Sequence, residues 1–447
     1  MAASDSTILG VVILTRHGDR AGFYQDPITY TASSTVITPL GAQQEFQLGQ
    51  HLRSLYLNAT SPSFITGVND TLVDQTQIHV RADAGGELGV IYDSAVALLQ
   101  GLFPADTNYT TDLANGTVVT GALGGYQYVP IESVEPANDV SLEGWTSCGA
   151  FDASTTAFYN SSAFAQKRNE SAAFLSQLPP FLDGRPVTLE NMWNIYDFMN
   201  VQSIHNEAFS KALPPTFLAQ ALTLASWHEY GVFTSPQLDG IGNIAGRTIL
   251  PQILSELASI ANASDPLKLA YQSLAYKPFF SLFNMTGAAE QNPLLTGVVP
   301  YAAAMALEVR QPLAGGEPVV RLNFKNGTGE EFVTYNFLGA SDDVPLSTLV
   351  NHVNPALINS TAAWCTVCSN TQDRGCGALA LAASKASGGH HQPIGPVGAG
   401  FLGAGLTLAV VLAMLAVLAF LGMLTVGRGR AKKAGSTHSR VIFPLVP

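Results

Sequence analysis

The hydrophobic pattern of the chain begins with a short aliphatic run at residues 8–14, several of whose members are β-branched. The run is too short for a typical helix and predicts a buried strand. Because ligands bind at the carboxyl ends of strands in open α/β sheets, the residues that follow it stand where a binding site is expected. Those residues form the polar cluster Arg16-His17-Gly18-Asp19-Arg20.

The next patterned segments predict a second unit of the same kind. Thr38 as N-cap and Pro39 at the first helical position open an amphipathic helix. Alternation at residues 77–83 predicts a strand, and residues 87–102 predict the helix that follows it. Arg81 lies near the end of this strand, so it is either a further site residue or an ordinary exposed strand-end arginine.

Helical periodicity dominates from residue 104 to 270, which predicts a helical insertion that caps the first unit. Its predicted helices cover residues 156–177, 189–206, 215–230 and 246–261. Apolar runs then predict strands that return to the sheet, at residues 278–283, 302–310, 319–324 and 332–337. The predicted fold class is α/β, a mostly parallel sheet flanked by helices, with an α-helical cap insertion.

Residues 397–426 carry no charge and are almost entirely apolar. At a rise of about 1.5 Å per residue they are long enough to cross a hydrocarbon core of roughly 30 Å, which predicts one C-terminal transmembrane helix. The basic residues after it indicate a cytosolic tail at residues 427–447. A lipid-anchor signal is the alternative, and it fits less well because a polar, basic tail follows the apolar run.

These patterns divide the chain into six parts. They are the α/β core in two pieces, the cap between them, a Ser/Gly-rich linker, the membrane helix and the tail: residues 8–103, 271–380, 104–270, 381–396, 397–426 and 427–447.

The chain is acidic, with a net charge of -12, and has no basic stretch before its C-terminus, which argues against a nucleic-acid partner. Four cysteines suit disulfides in an oxidising compartment, whereas a zinc site is disfavoured because no suitably spaced histidine lies nearby. The Asn-x-Ser/Thr sequons predict a glycosylated lumenal or extracellular domain. They lie at Asn58, Asn69, Asn108, Asn115, Asn160, Asn169, Asn262, Asn284, Asn326 and Asn359.

The N-terminal segment conflicts with that location, because residues 1–7 do not form a signal peptide. Either a signal lies upstream of this sequence, or the chain is tail-anchored with its bulk in the cytosol. The sequons and cysteines favour the first possibility. The expected location is a cell-surface or secretory-pathway membrane, with the large domain lumenal or extracellular.

The polar cluster after the first strand has the chemistry of a phosphate site. Arg16 and Arg20 present planar forks that match phosphate oxygens. His17 between them is a potential covalent nucleophile, and nearby cations keep an imidazole neutral by lowering its pKa. The alternative is a surface Arg/His cluster that closes a strand and has no catalytic role.

Four segments together resemble the histidine acid phosphatase family, which includes acid phosphatases and phytases. They are Arg16-His17-Gly18-Asp19-Arg20, Thr38-Pro39-Leu40-Gly41, Val80-Arg81-Ala82-Asp83 and Val299-Pro300-Tyr301-Ala302 with Glu308. The family motif ends in a proline two residues after its second arginine, and this chain has Gly22 there. The resemblance implies a phosphoglycerate-mutase-like core with a helical cap.

The resemblance also implies residue roles. His17 is expected to form a phosphohistidine, and Arg16, Arg20 and Arg81 are expected to bind the phosphoryl oxygens. It implies two disulfides, Cys148–Cys376 and Cys365–Cys368. The expected substrate is a phosphomonoester, and neither a cofactor nor a metal is expected.

The family has a His-Asp pair in a turn after a strand, in which the aspartate protonates the leaving group. The matching positions in this chain are interpreted as Phe283 and Asn284, neither of which can do this chemistry. Asp19 and Glu290 are the possible replacement proton donors, and His79 is a possible replacement for the imidazole. A glycan on Asn284 would then lie near the mouth of the pocket.

The expected function is acid phosphatase-like hydrolysis of phosphomonoesters through a phosphohistidine. The alternative is a catalytically weak or inactive phosphate-binding relative that acts as a surface glycoprotein. A third possibility is a glycoprotein that keeps the fold for structural reasons alone.

Overall fold

The computed structural model describes residues 5–85, 87 and 89–387. The predicted membrane helix and tail lie outside these residues, as does most of the predicted linker. Within the described part of the chain, no helix combines the length and apolar character needed to cross a membrane.

The described strands form one large mixed sheet and one small hairpin. They are β1 (Ser6–Arg16), β2 (Ile78–Asp83), β3 (Thr110–Asp112), β4 (Val118–Thr120), β5 (Glu132–Val134), β6 (Leu269–Leu274), β7 (Ala304–Pro312), β8 (Val319–Lys325), β9 (Val333–Tyr335) and β10 (Val344–Pro345). The large sheet has the order β10-β8-β7-β1-β6-β2-β5, with β9 paired to β8, and β3 pairs with β4 separately.

The prediction of a mostly parallel sheet is wrong. Strands β1, β6, β2 and β5 pair in parallel. Strand β7 runs antiparallel to β1, and β7, β9 and β10 each pair antiparallel with β8. Only residues 313–318 connect β7 to β8, and so short a connection allows an antiparallel neighbour only. The α/β class with flanking helices is confirmed.

The described helices surround this sheet. They are α1 (Pro39–Tyr56), α2 (Val90–Leu102), α3 (Ala122–Gly125), α4 (Gly149–Tyr159), α5 (Ser162–Leu175), α6 (Met192–His205), α7 (Glu207–Ala212), α8 (Phe217–Val232), α9 (Ile244–Ala261), α10 (Lys277–Met285), α11 (Ala288–Gln291), α12 (Leu346–Val353), α13 (Thr361–Val367) and α14 (Cys376–Ser387). Thr38 caps α1 as predicted, because its side chain accepts a hydrogen bond from the Gly41 N–H. Helix α14 includes the first residues of the predicted linker.

Strand β6 and helix α10 replace a strand that was predicted at residues 278–283. Every residue of β6 is buried, and α10 is almost entirely buried as well. Elements buried on all sides lose the polar positions that reveal their period, so helix and strand cannot be told apart by pattern. Pro278 is tolerated in α10 because it lies in the first turn, where no intrahelical N–H bond is needed.

Strand β1 is buried on both faces. Its alternate side chains Val12 and Leu14 join a hydrophobic cluster with Phe164 and Trp193 from the predicted cap. Val11 and Ile13 point to the other face, where α1 and α2 pack. The core therefore extends from the sheet into the helices of residues 104–270.

The parallel pairing of β1 with β6 decides which residues meet at the carboxyl edge. Arg16 is the register partner of Leu274, the last residue of β6. Residues 17–20 therefore lie beside residues 275–277 at this edge.

Candidate active site

The backbone of the motif after β1 is held on three sides. The His17 N–H donates to the Leu274 carbonyl at 3.2 Å, and the His17 carbonyl accepts from the Ala302 N–H at 3.2 Å. A Cβ on Gly18 would lie 2.4 Å from the Gly41 carbonyl oxygen, so the motif packs directly against the start of α1. The position of His17 is thus set by β6, by the segment before β7 and by α1.

His17 is fully buried and has the tautomer of a nucleophile. Its Nδ1 lies 2.8 Å from the Gly18 carbonyl oxygen, which can only accept, so Nδ1 carries the hydrogen. Nε2 then bears the lone pair, and among the described residues it has no hydrogen-bond partner. Burial lowers the pKa of His17 to about 3; Glu87 opposes this shift, and the guanidiniums of Arg16 and Arg20 add to it. The ring is therefore neutral at mildly acidic pH.

Glu87 is the nearest charged neighbour of this lone pair. Its Oε2 lies 3.3 Å from His17 Nε2 and 3.3 Å from Arg20 Nε. Burial alone would raise the pKa of Glu87, but nearby charges outweigh burial and lower it: His17 only in its protonated form, and Arg20, Lys277 and Arg16 as cations. Nothing in the sequence pattern singled out Glu87 except its place in a glycine-rich turn between a strand and a helix.

Arg16 retains the capacity to bind an anion. Its guanidinium donates to the Val299 carbonyl at 2.5 Å and lies 4.5 Å from the centre of the Tyr301 ring. Its Nε is buried without a hydrogen-bond partner among the described residues. A buried donor that protein groups leave unsatisfied is suited to a ligand oxygen.

Arg20 has its charge compensated within the protein. Asp197 accepts from both terminal nitrogens, at 2.8 and 3.2 Å, and Glu87 accepts from Nε at 3.3 Å. This bidentate pair is buried on both sides. Arg20 therefore offers a bound phosphate less attraction than a guanidinium without carboxylate partners would.

Arg81 binds carboxylates of its own, and its Nη1 is buried without a hydrogen-bond partner among the described residues. Its Nε donates to Glu132 at 3.1 Å, and its terminal nitrogen donates to Asp139 and Ser141 at 2.5 and 3.2 Å. His79, on the same face of β2 as predicted, bonds Glu256 and Glu132. No contact recorded for the described residues joins Arg81 or His79 to His17, so neither of these site predictions gains support.

Tyr276 and Lys277 follow β6 at the edge beside His17. The Tyr276 ring stacks on Trp193 with centroids 4.1 Å apart, and its hydroxyl donates to Glu229 at 2.6 Å. The Lys277 Nζ lies 5.1 Å from the centre of the Trp145 ring. Burial lowers the pKa of Lys277, although four carboxylates act in the other direction: Glu87, Glu143, Glu229 and Asp83.

Comparison with known proteins identifies relatives of this chain. The sequence is 23% identical over 371 residues to the prostatic acid phosphatase of Bos taurus, a match that covers 80% of this chain and 87% of the relative. It is 24% identical over 376 residues to the lysosomal acid phosphatase of Xenopus laevis, covering 81% of this chain and 78% of the relative. The chain is a relative of the histidine acid phosphatases.

Solved structures agree on the fold. A phytase from Klebsiella sp ASR1 matches with a TM-score of 0.55 at 13% identity, covering 80% of this chain and 99% of that one. The Hafnia alvei phytase in its apo form matches with a TM-score of 0.53 at 14% identity, covering 81% and 99%. No protein-family model matches the chain. The resemblance expected from the motifs is confirmed, as is the enzyme class at the level of the family, phosphoric monoester hydrolases.

The placement of the missing His-Asp pair at Phe283 and Asn284 is wrong. Phe283 packs against Phe324 in the core, with ring centroids 5.1 Å apart. The Asn284 amide donates to the Ser235 carbonyl at 2.8 Å. Both lie on α10, well beyond the end of β6, because the strand was predicted at residues 278–283. The two side chains that follow the strand beside His17 are Tyr276 and Lys277.

The two predicted replacement proton donors lie in different surroundings, and Asp19 Oδ1 is buried without a hydrogen-bond partner among the described residues. One carboxylate oxygen of Asp19 contacts Thr38 Oγ1 at 2.5 Å and His205 Nε2 at 2.8 Å, which ties the motif to α1 and α6. Glu290 is exposed on α11 and lines a surface groove with Asn284. No contact recorded for the described residues joins Glu290 to His17.

The cysteines form two disulfides, but the predicted pairing Cys148–Cys376 and Cys365–Cys368 is wrong. The bonds are Cys148–Cys368 and Cys365–Cys376. Cys365 lies within α13 and Cys368 caps its C-terminus, and the two face different neighbours. Cys368 is buried at the start of α4, whereas Cys365 faces the start of α14. Proximity in sequence did not decide the partners.

Proposed function

We propose that this chain hydrolyses phosphomonoesters by transferring the phosphoryl group to His17 Nε2 and then to water. The observation that carries the proposal is the hydrogen bond from His17 Nδ1 to the Gly18 carbonyl. It leaves the Nε2 lone pair of this buried side chain without a hydrogen-bond partner among the described residues, and Arg16 and Arg20 act on the ring from the same motif. An imidazole with this tautomer attacks phosphorus directly.

In the first step, the N–P bond forms as the bond from phosphorus to the leaving oxygen breaks. Arg16 stabilises the charge on the phosphoryl oxygens through its unsatisfied Nε. Of the two side chains that follow β6, Lys277 donates a proton to the leaving oxygen. Tyr276 is not available for this step, because its hydroxyl already donates to Glu229. In the second step, the Lys277 amine takes a proton from the attacking water, and the phosphohistidine releases phosphate.

A weak or inactive phosphate-binding relative is the second candidate, and two features favour it. The Glu87 carboxylate stands 3.3 Å from the nucleophilic nitrogen. Arg20 is already neutralised by Asp197. Both reduce the electrostatic stabilisation of a phosphoryl anion.

Trapping the covalent intermediate separates the two candidates. The full-length chain is mixed with an aryl phosphate that carries its label on the phosphoryl group, at mildly acidic pH. The reaction is quenched in alkali, because phosphohistidine is acid-labile. We expect label on His17, lost in His17→Ala and retained in His352→Ala, a matched histidine that bonds the Met285 carbonyl instead. Binding of inorganic phosphate without label or turnover would favour the second candidate.

We further propose that the chain is a glycosylated, membrane-anchored protein of the secretory pathway or cell surface. Nine of the sequon asparagines are exposed, all except Asn284, and both disulfides suit an oxidising compartment. Expression in a eukaryotic cell behind a supplied signal peptide, followed by endoglycosidase digestion and membrane extraction, tests this. Absence of a mobility shift, or recovery of the chain without detergent, would contradict it.

A further inference from the structure

Glu87 brings a carboxylate to the place where a phosphoryl group must bind if His17 is the nucleophile. Its side chain is only 4% exposed, and its Oε2 lies 3.3 Å from His17 Nε2. Nε2 nevertheless has no hydrogen-bond partner among the described residues. The carboxylate therefore lies beside the lone pair and not on its axis.

This position is next to the phosphoryl oxygens. The phosphorus atom approaches along the lone-pair axis, and its three non-bridging oxygens spread sideways from that axis. A carboxylate beside the axis then meets one of these oxygens. Two ionised oxygens in contact in a buried site repel strongly, whereas a single proton between them converts the contact into a short hydrogen bond.

The charges that face Glu87 come from every element around it. The groups are His17, Arg16 and Arg20 from β1 and the motif after it, Lys277 from α10, and Asp83 from β2. Arg20 also forms a salt bridge with Asp197 of α6. The cations keep Glu87 ionised, so the proton that a phosphate contact requires must arrive with the ligand or from solvent.

We propose that Glu87 makes the pocket selective for phosphoryl groups that carry a proton. A phosphate monoanion binds directly and places its own proton between a phosphoryl oxygen and Glu87. The dianion of a phosphate ester has no proton of its own and binds only together with one proton taken from solvent. The inference rests on the proposed function solely in placing the phosphoryl group at His17 Nε2.

Proton-linked binding of methylphosphonate tests the proposal without turnover, because its C–P bond is not hydrolysed. Calorimetric titrations of the full-length chain are run well above the second ionisation of this ligand, where it is a dianion without a proton, in buffers of different ionisation enthalpy. We expect uptake of about one proton per bound methylphosphonate in the unchanged chain and little uptake in Glu87→Gln. The affinity of Glu87→Gln for methylphosphonate should be about tenfold higher or more. Glu132→Gln, which removes a carboxylate beside Arg81, is the matched control and should behave as the unchanged chain does.

Sulfate provides a second measurement on the unchanged chain, independent of how well Glu87→Gln folds. Sulfate remains a dianion at mildly acidic pH, where inorganic phosphate is a monoanion. At about pH 5 the unchanged chain should therefore bind sulfate at least about tenfold more weakly than inorganic phosphate. Equal binding of the two anions, or identical proton uptake in Glu87→Gln and the unchanged chain, would overturn the proposal. A phosphohistidine at His17 with no effect of Glu87→Gln would leave the proposed function standing and remove this inference alone.

Discussion

Asp197 of α6 binds both terminal nitrogens of Arg20, and neither side chain reaches solvent. This pair joins the motif after β1 to a helix of the predicted cap. It also removes from Arg20 much of the positive charge that a phosphate would use. One contact therefore stabilises the folded chain and weakens the anion site.

Asp197→Asn should destabilise the protein strongly, by about 3 kcal/mol, because it removes the bidentate carboxylate partner of the buried Arg20 and leaves Glu87 alone to compensate this charge. Urea unfolding measures the loss. Inorganic phosphate should restore more stability to this variant than to the unchanged chain, since it can take the place of the carboxylate. Asp183→Asn removes the partner of Arg185 from an exposed ion pair and should leave unfolding unchanged. Equal stability of the two variants would contradict the role given to Asp197.

His17 should make folding stability depend on pH. Burial lowers the pKa of His17 from 6.5 to about 3, so between these values the unfolded chain binds a proton that the folded chain does not. The free energy of unfolding should therefore fall as pH decreases from about 6.5 towards 3, by at most about 1.4 kcal/mol per pH unit from this residue. His17→Gln should lose this part of the slope in urea titrations across the same range. An unchanged slope would mean that His17 is charged in the folded protein.

Lys277→Met should separate substrates by their leaving groups. Alkyl phosphates need a proton on the leaving oxygen, so their turnover should fall by about 10²- to 10⁴-fold. Aryl phosphates with acidic leaving groups should lose only a few-fold in kcat/KM. Lys277→Arg keeps the charge but hardly donates a proton, and it should behave as Lys277→Met does while retaining more stability. If both substrate classes lose activity equally in both variants, Lys277 is not the proton donor.

Asn284 should carry no glycan, although it begins a sequon. Its side-chain amide donates to the Ser235 carbonyl and to Asn243 Oδ1, and its own oxygen accepts from the Tyr230 hydroxyl. Glycopeptide mapping of the protein from a eukaryotic host should find this site empty and exposed sites such as Asn262 occupied. Asn284→Asp should cost about 1–3 kcal/mol of stability, since it replaces two donated hydrogen bonds with an acceptor facing acceptors. A glycan on Asn284 would contradict the packing of α10 against residues 235–243.

The elements that the sequence predicted well are those with one polar face. Helix α1, with its Thr38 cap, and strand β2, with its alternation, reveal their period because half of each element faces solvent or a polar site. Strand β6 and helix α10 are buried on all sides, so their hydrophobic pattern does not distinguish a strand from a helix. The prediction of a strand at residues 278–283 therefore places the expected His-Asp positions at Phe283 and Asn284, although the residues beside His17 are Tyr276 and Lys277.

By itself, the sequence determined the local chemistry of this protein: an imidazole between two guanidiniums directly after a buried strand, and motifs that identify its relatives. Which charges oppose that chemistry was decided only by the tertiary structure. Glu87 and Asp197 reach the motif from residues about 70 and 180 positions away in the chain. Contacts of this kind depend on strand register and helix packing, which place side chains within a few ångströms without leaving a periodic signal in the sequence. The same reason explains why the disulfide partners were decided by the fold and not by the spacing of the cysteines.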